Sequence, residues 1–258
     1  FALCEALRLM GKKRVFKCVD EVTKDFYYLT EGYKADEVSS PFIIAVDIAD
    51  EKLLGDLVSE FGGKIDLSID HHVSNLKYAD NLLLDATASA NCEIIYKVIK
   101  ELGVGFNKHA IDGLYTGIVT DNGCFKYSNT TAETHLIAAE LMAVTPDWCQ
   151  INTEMFEVKT KEKLNLERMV YETLEYSCDG KCALIYTTLE MQERAGIGDD
   201  EMEGLASIPR QIEGVWVGVT LRQKEDGNFK ISVRTGTHAD ASAICVLLGG
   251  GGHNRAAG

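Results

Sequence analysis

The chain has 258 residues, 46% hydrophobic and 26% charged, enough apolar material for two modest domains or one large one. Its net charge of −14, from 26 Lys and Arg against 40 Asp and Glu, leaves no basic stripe for tracking a long nucleic acid, and no uncharged apolar run reaches the length of a membrane span. An anionic substrate would therefore have to be short and helped locally, with metal ions the obvious source of that help. The eight cysteines show no paired metal-ligand spacing. Cys178 and Cys182 come closest, without a second pair or a nearby His, so reduced thiols in a cytoplasmic protein are expected.

The first residues read as the middle of a helix, with Leu3, Leu7 and Met10 on one face, and further chain is expected before Phe1. Phe42-Ile43-Ile44-Ala45-Val46 is the continuous apolar run of a buried parallel strand and stops at Asp47. Ile65, Leu67 and Ile69 alternate with polar residues in a second strand that stops at Asp70-His71-His72. Ile94, Ile95, Val98, Ile99 and Leu102 form a helical stripe closed by Gly103, and the mostly apolar stretch from Ile111 to Val119 leads into Asp121. Thr130 or Thr131 can cap a further helix running toward Pro146. One long polar helix is expected from about Asp147 to Tyr176, its second half serving as a connector. Beyond Asp179-Gly180, strands are expected at Ala183–Tyr186, Val215–Leu221 and Phe229–Val233, with a hairpin turn at Asp226-Gly227. A short apolar helix from Ala239 to Leu248 then precedes the run Gly249-Gly250-Gly251-Gly252-His253. The alternation of strands and helices makes the fold class α/β.

Asp47 and Asp70-His71-His72 follow apolar strands, and ligands of open parallel sheets collect at the carboxyl ends of strands. Carboxylates and imidazoles converging there can hold two divalent ions, the arrangement that serves in-line phosphoryl displacement. Taken singly, each feature has a plainer reading: an Asp after a strand caps a turn, adjacent His residues are structural, and a glycine run is a loop. Asp50 reads as a helix cap in preference to a metal ligand, Glu93 as a solvated helix position in preference to a support for the ligands, and His109 and His135 as structural. His238 reads as a turn residue in preference to a phosphate contact near Arg234; Lys126 and Tyr127 either pack or line a cleft, where Tyr127 could stack a base.

The order of these segments carries a resemblance. Asp70-His71-His72 after a strand resembles the motif that names the DHH phosphoesterases, and Gly117-Ile118-Val119-Thr120-Asp121-Asn122-Gly123-Cys124-Phe125 resembles their fourth motif, with Asn122 where a threonine is usual. Gly250-Gly251-Gly252-His253-Asn254-Arg255-Ala256-Ala257-Gly258, preceded by Ile231-Ser232-Val233-Arg234, is similar to the signature of the associated C-terminal domain. The likeness covers nearly the whole chain, and the arrangement without extra domains is similar to the nanoRNase/3'-phosphoadenosine-5'-phosphate phosphatases and to linear dinucleotide hydrolases.

The resemblance implies a parallel-sheet DHH domain over residues 1–160, a helical connector over 161–178 and a smaller α/β substrate-binding domain over 179–258, with the active site in the cleft between domains. It implies that Asp47, His71 and Asp121 bind metal, with Asp47 bridging two Mn2+ ions. His72 would lie beside the scissile phosphate, with Asp70 orienting an imidazole. Arg234, His253 and the backbone of Gly251 and Gly252 would hold substrate phosphate. The expected activity is hydrolysis of short oligoribonucleotides or 3'-phosphoadenosine 5'-phosphate to mononucleotides. Hydrolysis of linear or cyclic dinucleotides is the enzymatic alternative. The family's first motif, a His followed by two spaced Asp residues, is absent from these residues and is expected shortly before Phe1; without it the chain would instead be a nucleotide-binding protein without catalysis. The expected partner is a short nucleotide, with neither membrane nor long nucleic acid; whether the chain forms a homodimer is left open.

Overall fold

A computed structural model describes residues 1–198, 202 and 204–258, and of His253 the backbone alone. It divides into two compact units, Phe1–Val158 and Lys159–Gly258.

The first unit opens with α1 (Ala2–Leu9) and a single turn, α2 (Tyr27–Thr30). Strand β1 (Ile44–Val46), a second single turn α3 (Val58–Phe61), and strands β2 (Leu67–Asp70) and β3 (Asn81–Leu84) follow. The three strands form an all-parallel sheet in the order β1-β2-β3, with Val46 beside Ile69 and Asp70 beside Leu84. The expected strand from Phe42 is shorter than its apolar run: Phe42 is 63% exposed, and Asp66 accepts from the Ile43 N–H through its side chain instead. Strand β3 gave no alternation to read, being three leucines after Asn81.

Four helices complete this unit: α4 (Asn91–Glu101), α5 (Lys108–Asp121), α6 (Ala132–Met142) and α7 (Trp148–Phe156). Helix α4 ends where expected, with Leu102 as its C-cap and Gly103 next in the chain at φ 66°. The apolar stretch before Asp121 is helix α5, so Asp121 sits on a helix end and not on a strand end. Thr131, not Thr130, caps α6 in a reciprocal box with Thr134. Ile94, Ile99, Leu114, Ile118, Val119 and Leu141 form the centre of the core. Burying each such side chain contributes about 1.5–3 kcal/mol.

The second unit begins with α8 (Lys161–Tyr171). The single long helix expected from Asp147 to Tyr176 is therefore two helices, because Thr160 caps α8 through the Lys163 N–H after the break at residues 157–160. Helix α8 is also no free-standing connector, since Leu166, Met169 and Val170 pack with Ile185 in this unit's core. Strands β4 (Glu175–Ser177), β5 (Cys182–Thr187), β6 (Val217–Gln223), β7 (Phe229–Thr235), β8 (Gly252–His253) and β9 (Ala256–Ala257) form a mixed sheet ordered β4-β5-β6-β7-β9-β8, in which only β5 and β6 run parallel. Helix α9 (Leu189–Ala195) follows β5 and α10 (Ala241–Val246) follows β7. One face of the sheet, with Ile185, takes α8; the other, with Val233, takes α10 through Ala241 and Cys245.

One close approach in the first unit bears on the site. Gly117 on α5 faces Cys92 on α4 so tightly that a Cβ there would lie 2.2 Å from Sγ. Glycine lets the end of α5, which carries Asp121, close onto the start of α4. Gly117→Ala should therefore destabilise the chain by about 1–3 kcal/mol through overpacking, and Cys92→Ala in the same chain should restore most of the loss. Urea unfolding of the two single variants and the double variant checks this; equal loss in Gly117→Ala with and without Cys92 would place the strain elsewhere.

Candidate active site

Strands β1 and β2 deliver two of the site's segments to one edge of the sheet. Asp47 follows β1 directly in a left-handed backbone conformation, φ 62°, with its N–H donating to Ile69 O at 3.0 Å. Asp70, the last residue of β2, is fully buried yet satisfied on both oxygens. Its Oδ1 accepts from the His71 N–H at 2.8 Å, the His72 N–H at 3.2 Å and His72 Nδ1 at 2.8 Å, and Oδ2 accepts from Asn75 Nδ2 at 2.6 Å. Burial raises the Asp70 pKa, but the hydrogen bonds from Asn75 and His72, then those from the two backbone N–H groups, outweigh it and leave the carboxyl below its ordinary range.

The Asp70 carboxylate can only accept, so His72 carries a hydrogen on Nδ1. The same logic fixes His71, whose Nδ1 meets the Ala88 carbonyl at 3.1 Å. Its Nε2 then faces two carboxylates, Asp47 Oδ1 at 3.3 Å and Asp121 Oδ2 at 3.4 Å. The hydrogen bond to Asp47 holds the His71 pKa up at about 9 against the opposing effect of burial, with Ala88 and Asp121 adding to the rise. Asp121 is raised by its own burial, which outweighs the pull of His71.

Asp47, His71 and His72 each offer one ligand atom, and these atoms lie within 4.8 Å of one another. One carboxylate oxygen and two imidazole nitrogens, with a second carboxylate on the far side of His71, form a donor set of the type that divalent transition ions take. Of the residues expected at the site, Asp47, Asp70, His71, His72 and Asp121 are therefore brought together. The ligand-spaced group includes His72, which was expected beside the phosphate, whereas Asp121 enters through His71.

In the second unit, Arg234 lies on β7 opposite Gly218 and Ala256, half-buried, with Nη1 donating to Val233 O at 3.1 Å. The Gly251 N–H, expected to point at phosphate, instead donates to Gly258 O at 3.0 Å, because the glycine run folds back as the β8–β9 hairpin. Gly252 is required by that fold: at φ 139°, a Cβ would lie 2.7 Å from Ala257 Cα. The side chain of His253 lies outside the described residues.

Sequence reasoning missed Asn75, which anchors Asp70 and has no motif of its own, and the Ala88 carbonyl, which no sequence can show. It also preferred a solvated face for Glu93 over a place supporting the ligands, and Glu93 is 1% exposed. Asp50 caps a helical turn as expected, accepting from the Lys52 N–H. His135 stacks on Phe125 and His238 on Trp216, both as packing contacts. All eight cysteines are free, and burial pushes the Cys92 thiol up to about 12, leaving it neutral and unreactive.

The raised His71 pKa has a measurable consequence. In the presence of chelator, a group raised from 6.5 to about 9 stabilises the fold fully below pH 6.5 and loses that contribution as pH rises through 9. The thermal midpoint should therefore fall between pH 6.5 and 9 more steeply for the unchanged chain than for His71→Gln. Identical slopes in differential scanning fluorimetry would show that His71 is not held between the two carboxylates.

No family model matches the chain. It is 29% identical to the bifunctional oligoribonuclease and PAP phosphatase NrnA of Thermus thermophilus, over 99% of this chain and 77% of that protein. It is 27% identical to the protein of the same name from Bacillus subtilis, over 99% of this chain and 82% of that one. A solved structure of an exopolyphosphatase-related protein from Bacteroides fragilis shares the fold, with a TM-score of 0.88 over 99% of this chain and 80% of that chain at 21% identity. With the Asp70-His71-His72 motif at the end of a parallel strand and similarity over nearly its whole length to NrnA proteins, the chain resembles the DHH-family phosphoesterases.

Proposed function

We propose that the chain is a metal-dependent phosphoesterase that hydrolyses short oligoribonucleotides and 3'-phosphoadenosine 5'-phosphate to mononucleotides. The observation that carries this reading is His71 Nε2, turned by Ala88 toward Asp47 and Asp121 at 3.3 and 3.4 Å. Asp47, His71 and Asp121 would hold the divalent ion, with Mn2+ the ion the family resemblance favours, and His72 stands close enough to share it. A divalent ion held by these residues would supply charge neutralisation at a phosphate and a lowered pKa for nearby water. His72 presents Nε2 to the phosphate, and Asp70 keeps that ring in its tautomer through Nδ1. Arg234 is the proposed contact to a further substrate phosphate. We place the reaction in the cytoplasm, a reading supported by eight free thiols; among the described residues no helix is long and apolar enough to cross a membrane.

With Mn2+ present, His71→Ala and Asp121→Ala in the full-length protein should abolish hydrolysis of a ribodinucleotide while leaving the circular dichroism spectrum unchanged. Arg234→Ala should lower kcat/KM roughly ten- to a hundredfold, the loss of one charge-assisted contact of about 1.5–3 kcal/mol. Because a chain of net charge −14 cannot steer long polyanions, kcat/KM should be higher on dinucleotides than on long strands by a factor on the order of ten or more. Full activity in either metal-site variant, or equal efficiency at all lengths, would overturn the assignment; turnover confined to linear or cyclic dinucleotides would redirect it.

A further inference from the structure

Behind His71 and Asp121 lies a buried polar cluster that neither metal binding nor the fold expectation uses. Glu93 on α4 is 1% exposed, and its Oε1 accepts from Ser89 Oγ and from Thr134 Oγ1, both at 2.6 Å. Ser89 and Thr134 are fully buried, and Asn122 Nδ2 reaches Ser89 Oγ at 3.4 Å. Asn122 is itself fully buried and organises the turn after Asp121: its Oδ1 accepts from the Phe125 N–H at 2.8 Å, and its carbonyl accepts from the N–H groups of Lys126 and Tyr127 at 3.1 and 3.0 Å.

That turn holds Cys124 and Phe125 in left-handed conformations, φ 55° and 64°, which side chains other than glycine adopt only when their surroundings enforce it. The enforcing contacts run from Asn122 to Ser89 and from Ser89 to Glu93. The adjacent residue, Ala88, supplies the carbonyl that fixes the His71 ring. Thus one dipeptide, Ala88-Ser89, ties down both the imidazole and the backbone that follows Asp121, and Glu93 holds that dipeptide from beneath together with α6.

We propose that Glu93 is a positioning residue that sets the placement of His71 Nε2 and Asp121 by accepting hydrogen bonds from Ser89 and Thr134, and thereby sets the affinity of the site for its divalent ion. This rests on the reading of His71 and Asp121 as ligands. The role belongs to the acceptor atom and not to the charge, because Oε1 takes both hydrogen bonds while Oε2 has no partner.

The test is a Mn2+ titration of the full-length protein by isothermal calorimetry, alongside thermal midpoints in chelator. Glu93→Gln retains a carbonyl acceptor and should bind Mn2+ within about threefold of the unchanged protein. Glu93→Ala leaves the two hydroxyls without their acceptor and should weaken Mn2+ binding roughly 10–100-fold, the scale seen when groups orienting metal ligands are removed. Should Glu93→Ala fail to fold, Ser89→Ala cuts the same chain of contacts and should weaken binding in the same direction. Leu141→Ala, a core deletion on α6 at 2% exposure, supplies the comparison: it should lower the thermal midpoint without changing Mn2+ affinity. The proposal is overturned if Glu93→Ala and Ser89→Ala lower the midpoint like Leu141→Ala yet keep Mn2+ affinity, or if Glu93→Gln weakens binding as much as Glu93→Ala. Failure of the underlying site reading has its own sign, which is unchanged Mn2+ binding in His71→Ala.

Discussion

The structure of the site depends on one buried carboxylate. Asp70 is fully enclosed at the end of β2, where an unpaired charge would be prohibitive. It is tolerated because four donors converge on it: two backbone N–H groups, the His72 ring and Asn75. Those same donors dictate the chain's course after the strand. The backbone must turn back over the carboxylate, which throws the His71 ring to one side and holds the His72 ring by Nδ1. Orientation of both imidazoles thus follows from satisfying one charge in the sheet's interior.

The remaining parts of the site come from element ends. Asp47 leaves β1 in a left-handed conformation, a strained arrangement for a residue with a Cβ but one that Asp adopts more readily than most. Asp121 closes α5 and is carried inward by the approach that Gly117 allows against Cys92. The carboxylates flanking His71 therefore arrive from the end of a strand and from the end of a helix. As the proposed ligands they would sit at the ends of regular elements and not on long loops, so less ordering would be needed on binding an ion.

Much of this was legible in the sequence, and the pattern of what was not has physical causes. Asp47, Asp70, His71 and His72 announce themselves because strand termination and the motif coincide, and Asp121 because its segment resembles a known one. Helices α4 and α6 follow from apolar spacing with Gly103 and Thr131 at their ends. The break between α7 and α8 was not legible, since Glu157 to Thr160 contains neither Gly nor Pro and only the Thr160 cap marks it. Strand β3 and the β8–β9 hairpin are too short for periodicity to register. Glu93 was misread for a different reason: a single charged residue among apolar ones looks solvated unless its partners are known, and those partners, Ser89 and Thr134, are drawn from another helix as well as from the preceding turn. Asn75 and the Ala88 carbonyl belong to the same class, groups whose role exists only in three dimensions.

The charge of the chain gives these local arrangements their functional weight. With net charge −14 and three carboxylates around two imidazoles, the unliganded site offers a phosphodiester repulsion at long range. Attraction is created only where a cation sits among those carboxylates, and it decays within about 10 Å at ordinary ionic strength. On the proposed function, a substrate would have to bring a phosphate to within a few ångströms of the ion before it gained anything. A long strand gains no more at that point than a short one, yet it carries many additional phosphates that the acidic surface repels. On the proposed function, discrimination by length would need no measuring device. It follows from confining favourable charge to one metal site and a few basic side chains on a protein that is otherwise acidic.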